Sequence, residues 1–228
     1  MTLDIFLPCR ASSKRIKNKN IKKFSNNKFG LLEIKIKDLL RVKYVRNIIL
    51  STDDIKIINY IESLNLKKIK IDKRNKKLCS DNAKTDDLIK YVPKITDAEY
   101  ILWTHVTSPF FNYKDYNKAI ELFFKNKANY DSLMGVTKLQ EFIYNETRPI
   151  NFDKKKEKWP RTQTLKKFFS VNSSIFINSK KNYLKFNDRI GAKPFYFESD
   201  KVKAFDIDWP DDFKVAENIY QSFYKKKY

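Results

Sequence analysis

A short basic segment near the amino terminus has the residue types needed to bind phosphate. Residues 10–20 hold five lysine or arginine side chains among hydroxyl and amide groups. Backbone N–H groups and such cations together neutralise the charge of a triphosphate, so the segment predicts a nucleotide-phosphate site. Neither of the common glycine-rich nucleotide motifs occurs in the chain. Taken alone, the segment is equally consistent with a solvated basic loop.

Two aspartates near the other end of the chain could bind a hard cation. Asp206 and Asp208 are separated by one residue, and in an extended strand residues i and i+2 point to the same side. Carboxylate oxygens, completed by phosphate and water, are the ligands that Mg²⁺ prefers. This spacing predicts a magnesium site, the alternative being two surface acids at the end of a strand.

The excess of basic residues also admits a nucleic-acid-binding function. The chain carries 48 Lys and Arg against 27 Asp and Glu, a formal net charge of +21, which attracts polyanions. Only eight of the basic residues are arginine, the residue favoured for reading bases and clamping phosphates. A generally lysine-rich surface is the favoured explanation, and a non-enzymatic nucleic-acid-binding domain is kept as an alternative.

The remaining composition excludes several classes of protein. A length of 228 residues suits one domain, and an apolar content of 42% excludes wholesale disorder. Cys9 and Cys79 are too few for a disulfide scaffold or a four-thiolate zinc site, and are expected to be buried and reduced. The chain has no long apolar run, and its start MTLDIFLP does not resemble a signal peptide. We therefore expect a cytoplasmic protein with no membrane contact.

Alternating strands and helices are predicted to position the candidate residues. Over the first 136 residues, apolar β-branched runs alternate with segments of helical spacing, which predicts βαβ units, a mostly parallel sheet and an α/β fold. Ligands of such sheets bind at the carboxyl ends of the strands, so the loops after residues 8, 50, 103 and 136 should share one face. The predicted strands are 3–8, 47–50, 68–71, 100–103 and 132–136, and the predicted helices are 31–40, 55–61, 85–91 and 113–127.

Two of these helices have predicted caps and faces. Residues 51–54 are suited to cap the helix that follows them, and Thr85 or Asp86 to cap the next one. Ile55, Ile58 and Ile61 are predicted to share the buried face of the first of these two helices.

After residue 137 the pattern changes. Further strands are predicted at 141–144, 168–177, 194–198 and 202–207, and a terminal helix at 211–223. The charged run 153–158 is predicted to belong to an exposed excursion.

The candidate segments resemble, in their order, the CMP-sugar synthetases of the acylneuraminate cytidylyltransferase family. The first segment fits that family's pattern R-x-x-S-K-x-I/L-x-x-K-N through Arg10, Ser13, Lys14, Ile16, Lys19 and Asn20. Five later segments follow in family order, so that the resemblance extends over about residues 3–220. These segments are Ser51-Thr52-Asp53-Asp54, Arg74 with Leu78, Ser80, Asp81 and Thr85, Thr107-Ser108-Pro109, Pro160 to Gln163 with Asn172 and Ile175 to Ile177, and Asp206-Ile207-Asp208 with Asp212.

The resemblance implies a reaction, a fold and an assembly. CTP and an acidic sugar, of the nonulosonate or 2-keto-3-deoxy acid type, would give a CMP-sugar and pyrophosphate with Mg²⁺, for surface glycan synthesis. The fold would be a Rossmann-like nucleotidyltransferase fold comprising the whole chain. The assembly would be a homodimer, with about residues 138–170 as the dimerisation excursion. Binding to nucleic acid is not expected.

The resemblance also implies roles for individual residues. The CTP contacts would be Arg10, Ser13, Lys14, Lys19, Asn20, Arg74, Ser80 and Thr85, the last three at the cytosine and ribose. The catalytic residues would be Arg10, Lys19 and Asp208, and Mg²⁺ would bind Asp206 and Asp208. The sugar-acid pocket would contain His105, Arg161, Asn172 and Phe176, with Arg161 suited to a carboxylate.

The sugar side departs from the family pattern more than the CTP side does. Ala11 and Ser12 occupy a stretch where the family often has small residues such as glycine. His105 stands where the sialate enzymes have glutamine, Ser173-Ser174 replace a Gly-Ala pair, and Phe176 replaces a tyrosine. His105, the single histidine, is either structural or a substrate contact whose charge could change with pH. Which acidic sugar is used therefore stays open, as does a sister cytidylyltransferase activity on a different acidic acceptor.

Overall fold

A computed structural model describes residues 1–11, 13–80 and 82–224. Two residues of the matched segments, Ser12 and Asp81, lie outside the described residues.

The chain folds into one seven-stranded sheet with helices on both faces. In spatial order the strands are β3-β2-β1-β4-β6-β5-β7. The strands are β1 (Leu3–Pro8), β2 (Asn47–Thr52), β3 (Ile69–Lys73), β4 (Tyr100–Trp103), β5 (Ser132–Leu139), β6 (Phe168–Ser179) and β7 (Pro194–Glu198). The helices are α1 (Gly30–Leu40), α2 (Ile55–Ser63), α3 (Thr85–Tyr91), α4 (Tyr113–Lys125), α5 (Lys180–Phe186) and α6 (Pro210–Tyr224).

The directions of the strands place the four loops predicted to bind ligands at the same edge of the sheet. β1 pairs in parallel with β2 and β4, and β2 with β3. β6 runs antiparallel between β4 and β5, so β4 and β5 point the same way as β1. The loops that follow β1, β2, β4 and β5 therefore share the carboxyl edge of the sheet, which confirms the predicted α/β arrangement.

Helices cover each face of the sheet with its own apolar cluster. The larger cluster packs β1, β2 and β4 against α1, α2, α4 and α6. A smaller one, around Phe6, Trp103 and Phe176, packs against α3 and α5. Neighbouring residues Ile5 and Phe6 belong to different clusters, as alternation along a strand requires. The central strands are buried on both faces because helices cover both.

Several predicted elements differ from the observed ones. Residues 202–207 form a turn and an extended loop rather than a strand, and 141–144 contributes only an isolated bridge between Tyr144 and Pro149. Apolar residues in both stretches mimic a strand pattern, but in the described residues no neighbouring strand pairs with them. The short helix α5 was not predicted, because it follows β6 directly and buries one side chain, Tyr183.

The predicted helix faces and caps are partly wrong. Asp54 does cap α2, accepting the backbone N–H of Lys56 at 2.9 Å, but Ser51 and Thr52 belong to β2. Ile55 is 63% exposed, because the first residue of the helix points to solvent. The buried face of α2 contains Ile57, instead of the predicted Ile55, together with Ile58 and Ile61.

The start of α3 also differs. Thr85 is the first helical residue and neither it nor Asp86 is the cap. Instead the backbone N–H of Lys84 donates to Asp87 Oδ2 at 3.1 Å.

The two cysteines, Cys9 and Cys79, are free and buried, as predicted. Among the described helices none combines the length and apolar character needed to cross a bilayer.

Candidate active site

Residues from the two ends of the chain meet at the carboxyl edge of the sheet. Lys19 Nζ donates to the carbonyl oxygen of Ile207 at 2.8 Å and lies 3.2 Å from Asp208 Oδ1. Arg15 Nη2 approaches the same carboxylate oxygen at 2.8 Å. The first basic loop and Asp208, which belong to two separate candidate segments of the sequence, are thus in direct contact.

The loop before α6 is held by the helix that it precedes. The backbone N–H groups of Asp208 and Trp209 both donate to Asp212 Oδ2, at 3.0 and 2.7 Å. Asp212 lies in the first turn of α6, where a carboxylate stabilises the free N–H groups. The backbone of Asp208 is therefore fixed while its carboxylate stays at the surface.

The first loop is anchored at several points. Ile16 is buried in the larger apolar cluster, and Asn20 Nδ2 donates to the carbonyl oxygen of Arg10 at 3.1 Å. The backbone N–H of Ala11 donates to Asp53 Oδ1 at 2.8 Å, which ties this loop to the turn after β2. Asn20 thus organises the loop. The side chain of Lys14 is exposed and that of Ser13 is half-buried.

Gly30 ends this loop in a conformation that needs glycine. Its φ is +56°, and a Cβ there would lie 2.0 Å from the carbonyl oxygen of Lys22. The close return of the chain to α1 therefore depends on a residue without a side chain.

Arg74 is buried beneath the end of β2. Its Nη2 donates to the carbonyl oxygen of Ser51 at 2.7 Å, while its Nε is buried without a hydrogen-bond partner in the described part of the chain. The charges of Arg74, Asp53 and Arg10 all act on the thiol of Cys79, so these side chains surround it. Burial is the main reason that the pKa of Cys79 rises to about 11, and this thiol stays protonated.

The other two predicted nucleoside contacts lie nearer the surface. The side chains of Ser80 and Thr85 are exposed, and Ser80 Oγ donates to the carbonyl oxygen of Lys77 at 3.1 Å. Of the three residues implied for cytosine and ribose, Arg74 alone combines burial with an unpartnered donor.

His105 is neutral. Trp103 Nε1, which can only donate, lies 2.8 Å from His105 Nε2, so the imidazole proton is on Nδ1. Burial, assisted by the positive charges of Arg189, Lys19 and Lys35, lowers the pKa of His105 to about 3. The predicted change of its charge near physiological pH is therefore wrong, because burial and three cations disfavour the imidazolium.

A cavity joins the aspartate loop to the predicted sugar side. It has a volume of about 380 Å³ and its lining includes Asn172, Ser173 and Asp206. Asp206 Oδ1 is buried and has no hydrogen-bond partner among the described residues. Asn172 is already engaged, because its Nδ2 donates to Thr137 Oγ1 at 3.2 Å and its Oδ1 accepts the N–H of Ser174 at 3.2 Å. Asp206 thus contributes to this lining a buried acceptor oxygen that the other described residues leave unpartnered.

The two aspartates are not arranged as predicted. Since residues 205–208 form a loop, the geometry of an extended strand does not apply: Asp208 contacts cations and Asp206 lines the cavity. The described chain has no group of three or more His, Cys, Asp or Glu residues that could hold a metal. The donor chemistry still fits Mg²⁺, because Asp206 keeps an unsatisfied buried oxygen and phosphate and water can supply the other ligands.

Two predicted sugar contacts do not reach this site as free side chains. Phe176 is only 1% exposed, and its ring is covered by the guanidinium of Arg189, whose central carbon lies 3.9 Å from the ring centre. Arg161 is exposed on the irregular segment between β5 and β6, near Trp159, which is 67% exposed. In the described residues the guanidinium of Arg161 has no ion pair.

The sequence did not single out Lys35. This lysine is fully buried in α1. It donates to the carbonyl oxygens of Ser108 and Phe111 at 2.8 and 3.1 Å and to the hydroxyl of Tyr116 at 2.9 Å. Burial lowers its pKa to about 8 against the opposing effect of Asp38 and other acids. Lys35 therefore holds the turn after β4, and no sequence signal separates it from the many surface lysines.

Comparison with known proteins gives matches along nearly the whole chain. The model of the cytidylyltransferase family matches residues 5–227. The post-translational flagellin modification protein B of Campylobacter coli is 28% identical over 225 residues, 91% of this chain and 90% of that protein.

Solved structures share the fold at low sequence identity. A CMP:2-keto-3-deoxy-manno-octonic acid synthetase complexed with CTP has a TM-score of 0.69 at 12% identity, covering 98% of this chain and 100% of that one. The 4-diphosphocytidyl-2C-methyl-D-erythritol synthase of Anaerococcus prevotii has a TM-score of 0.67 at 17% identity, covering 96% of each chain.

Proposed function

The chain is a member of the cytidylyltransferase family and thus a nucleotidyltransferase enzyme, and from this premise we propose that it transfers CMP from CTP to an acidic sugar. The acceptor would be of the nonulosonate or 2-keto-3-deoxy acid type. The product would be a CMP-activated sugar for surface glycan synthesis, with pyrophosphate released. An acid acceptor is supported by the name of the structurally similar CMP:2-keto-3-deoxy-manno-octonic acid synthetase, and a role in modifying a surface protein by that of the flagellin modification protein.

The contact between Lys19 and Asp208 is the observation that carries the proposal. A lysine from the loop after β1 and a carboxylate 189 residues later lie 3.2 Å apart at the carboxyl edge of the sheet. Phosphate recognition needs the cation, and a phosphate-bound metal ion needs the carboxylate. Both groups lie at the carboxyl edge of the sheet, where α/β folds bind their ligands.

We assign the triphosphate to the first loop. Arg10, Lys14 and Lys19 would neutralise its charge and Ser13 would donate a hydrogen bond, while Asn20 keeps the loop in shape through its contact with Arg10. Arg74 is proposed to contact the base or ribose through its unpartnered Nε, with Ser80 and Thr85 closing over the nucleoside.

Asp206 and Asp208 are proposed to bind Mg²⁺. When bound, the ion would neutralise charge on the phosphate oxygens and polarise the phosphorus under attack. Asp208 is already beside Lys19 and Arg15, so those two cations would turn toward phosphate when CTP enters. The unsatisfied oxygen of Asp206 supports its part in this site.

The chemical step requires no covalent enzyme intermediate. A hydroxyl oxygen of the acceptor forms a bond to the α-phosphorus of CTP, and the bond from that phosphorus to the bridging oxygen of the β-phosphate breaks. Pyrophosphate leaves with the bonding electron pair, and the hydroxyl proton passes to solvent. Catalysis is then positioning and charge stabilisation by Arg10, Lys19 and Asp208.

The acceptor would lie on the side of the sheet edge that contains His105 and Asn172. His105 can donate only through Nδ1–H, and Asn172 positions the cavity wall through Thr137. Arg161 is proposed to contact the acceptor bound by a partner subunit in a homodimer, because it is exposed on the irregular segment between β5 and β6, close in sequence to the exposed Trp159. CTP is made in the cytoplasm, which is the compartment that this reaction requires.

A different acidic acceptor at the same CTP site is the second candidate. The departures at His105 and Phe176 favour it, because the resemblance assigns those two positions to the sugar-acid pocket rather than to the CTP contacts. For the third alternative, a non-enzymatic nucleic-acid-binding domain, the net positive charge is the sole supporting feature of the sequence.

The selectivity of nucleotide binding tests the proposal that CTP is the CMP donor. Calorimetric titration with CTP, UTP, ATP and GTP in the presence of Mg²⁺ should give tight binding for CTP alone. Arg74→Lys should weaken CTP binding by about tenfold, since one lost hydrogen bond to a buried arginine is worth about 1.4 kcal/mol. Equal binding of all four nucleotides would contradict a cytidylyltransferase site.

A further inference from the structure

Arg189 lies over two aromatic rings at the carboxyl edge of the sheet. Its central guanidinium carbon is 3.9 Å from the centre of the Phe176 ring and 5.1 Å from that of Trp103. Phe176 and Trp103 are paired across β6 and β4, and both are buried. Two rigid rings therefore fix the position of the cation before any ligand arrives.

Among the described residues, the guanidinium of Arg189 has no ion pair and no hydrogen bond. The nearby Asp188 attracts it only through its charge, and Asp188 Oδ1 accepts the backbone N–H of Ile190 at 3.2 Å. Burial lowers the pKa of Arg189, so part of its hydration has been lost. A half-buried cation is stable where pairing or hydrogen bonding replaces its water, and the N–H groups of Arg189 lack such a partner among the described residues.

The polar neighbours of Arg189 indicate what it faces. The charge of Arg189 acts on His105, whose neutral imidazole presents an Nδ1–H. Lys19 acts on the same imidazole from the first loop. Trp103 links the two groups, because its Nε1 donates to His105 Nε2 at 2.8 Å and its ring lies 5.1 Å from the central carbon of Arg189. Arg189 and His105 are therefore neighbours of the same residue at the carboxyl end of β4, on the side proposed for the acceptor.

We propose that Arg189 binds the carboxylate of the acidic acceptor and thereby selects acids over neutral sugars. This inference rests on the proposed transfer of CMP to an acid. The parallel N–H groups of a guanidinium match the two oxygens of a carboxylate, and the rings beneath hold them in one plane. The first loop already supplies the cations proposed for the triphosphate. The anion that pairs with Arg189 is therefore expected to belong to the other substrate, the acceptor.

Steady-state kinetics of Arg189→Gln and Arg189→Lys test this assignment. The measured values are the KM for the best acid substrate, the KM for CTP, and the ratio of kcat/KM for the acid to that for its methyl ester. Arg41→Gln is the matched control, because its guanidinium also stacks on a ring, 3.6 Å from the centre of Tyr113, beyond the end of α1.

Arg189→Gln should raise the KM for the acid about 30-fold, which corresponds to the loss of one charged hydrogen-bonded pair of about 2 kcal/mol. Its KM for CTP should stay within about twofold. The wild-type preference for the acid over its ester should disappear in Arg189→Gln and be partly kept in Arg189→Lys, while Arg41→Gln changes none of these values.

An unchanged preference for the acid in Arg189→Gln would overturn the assignment, whether or not overall activity falls. A parallel rise in both KM values would do the same, since it would mean that Arg189 only packs on the rings. If wild-type enzyme binds CTP but turns over no acid, the proposed acceptor class fails first. Calorimetric titration of wild type and Arg189→Gln with the acid then tests the role of Arg189 independently of turnover. Equal affinity of the two proteins for the acid, or no binding by either, would overturn that role.

Discussion

Lys19 Nζ lies 3.2 Å from Asp208 Oδ1 and 2.8 Å from the carbonyl oxygen of Ile207. The lysine is mostly buried whereas the carboxylate is nearly half exposed, so the pair opens toward solvent. A ligand carrying phosphate can therefore replace the carboxylate beside Lys19 without unfolding the loop. This exchange of partners is the basis of the first two predictions.

Replacing Lys19 should impair turnover through the nucleotide. Lys19→Met removes the cation but keeps most of the chain volume, and kcat/KM for CTP should fall about 100-fold because a charge-stabilising group of the transition state is lost. Pyrophosphate release measures this. Lys17→Met, on the same loop but exposed, should stay within about twofold. Equal losses in both variants would mean that only net loop charge matters.

Replacing the aspartates should remove the dependence on Mg²⁺. Asp208→Ala and Asp206→Asn should each lower Mg²⁺-dependent turnover at least about 100-fold, since carboxylate ligands hold the ion against the phosphates. Asp211→Asn is the control, because this carboxylate is 92% exposed on α6. Circular dichroism should give the same folded content for all variants. Undiminished activity of Asp208→Ala would refute its metal role.

The buried Lys35 should make stability depend on pH in an unusual direction. Its pKa is about 8 in the folded chain against 10.5 for an ordinary lysine. Between these values the unfolded chain binds more protons than the folded one, so this group's contribution to stability rises with pH from about 8 to about 10.5 and is constant below that window. Urea unfolding across that window measures the rise, and Lys35→Met should lack it.

Lys35→Met should also lower the free energy of unfolding at pH 7 by about 2 kcal/mol, because buried acceptors lose their donor. Lys37→Met on the same helix, whose exposed lysine pairs with Glu33 at 2.7 Å, should change it by no more than about 0.5 kcal/mol. A pH profile of Lys35→Met identical to that of wild type would contradict this explanation.

The proposed role of Arg161 in a partner's site can be tested with mixed dimers. Arg161→Ala and Asp208→Ala should each be inactive or weak alone. Coexpressed in equal amounts, they should recover about one quarter of wild-type activity, because half of the dimers would contain one intact site. Pyrophosphate release and sedimentation measure activity and assembly. No recovery in a mixed dimer would mean that Arg161 acts within its own chain, or not at all.

The local sequence was sufficient to predict an element where a regular apolar pattern is followed directly by residues of a distinct chemical type. β1 (Leu3–Pro8) and its basic loop follow directly from an apolar run and the residues after it. The spacing of Asp206 and Asp208 drew attention to both residues, but the extended strand assumed for them did not form. Arg189 and Lys35 gave no such signal, because their environment depends on β4, β6 and the turn after β4, which are distant in sequence. The error at residues 202–207 has a similar origin: an apolar pattern forms a strand only where a partner strand is available.

The most direct test of the account is pyrophosphate release from CTP and Mg²⁺ with a panel of nonulosonic and 2-keto-3-deoxy acids, each beside its methyl ester. We predict acid-dependent pyrophosphate and a CMP-sugar product with at least one acid, and little product with its ester. Tight binding of CTP without turnover of any acid would contradict the proposed acceptor, and absence of both would contradict the function itself.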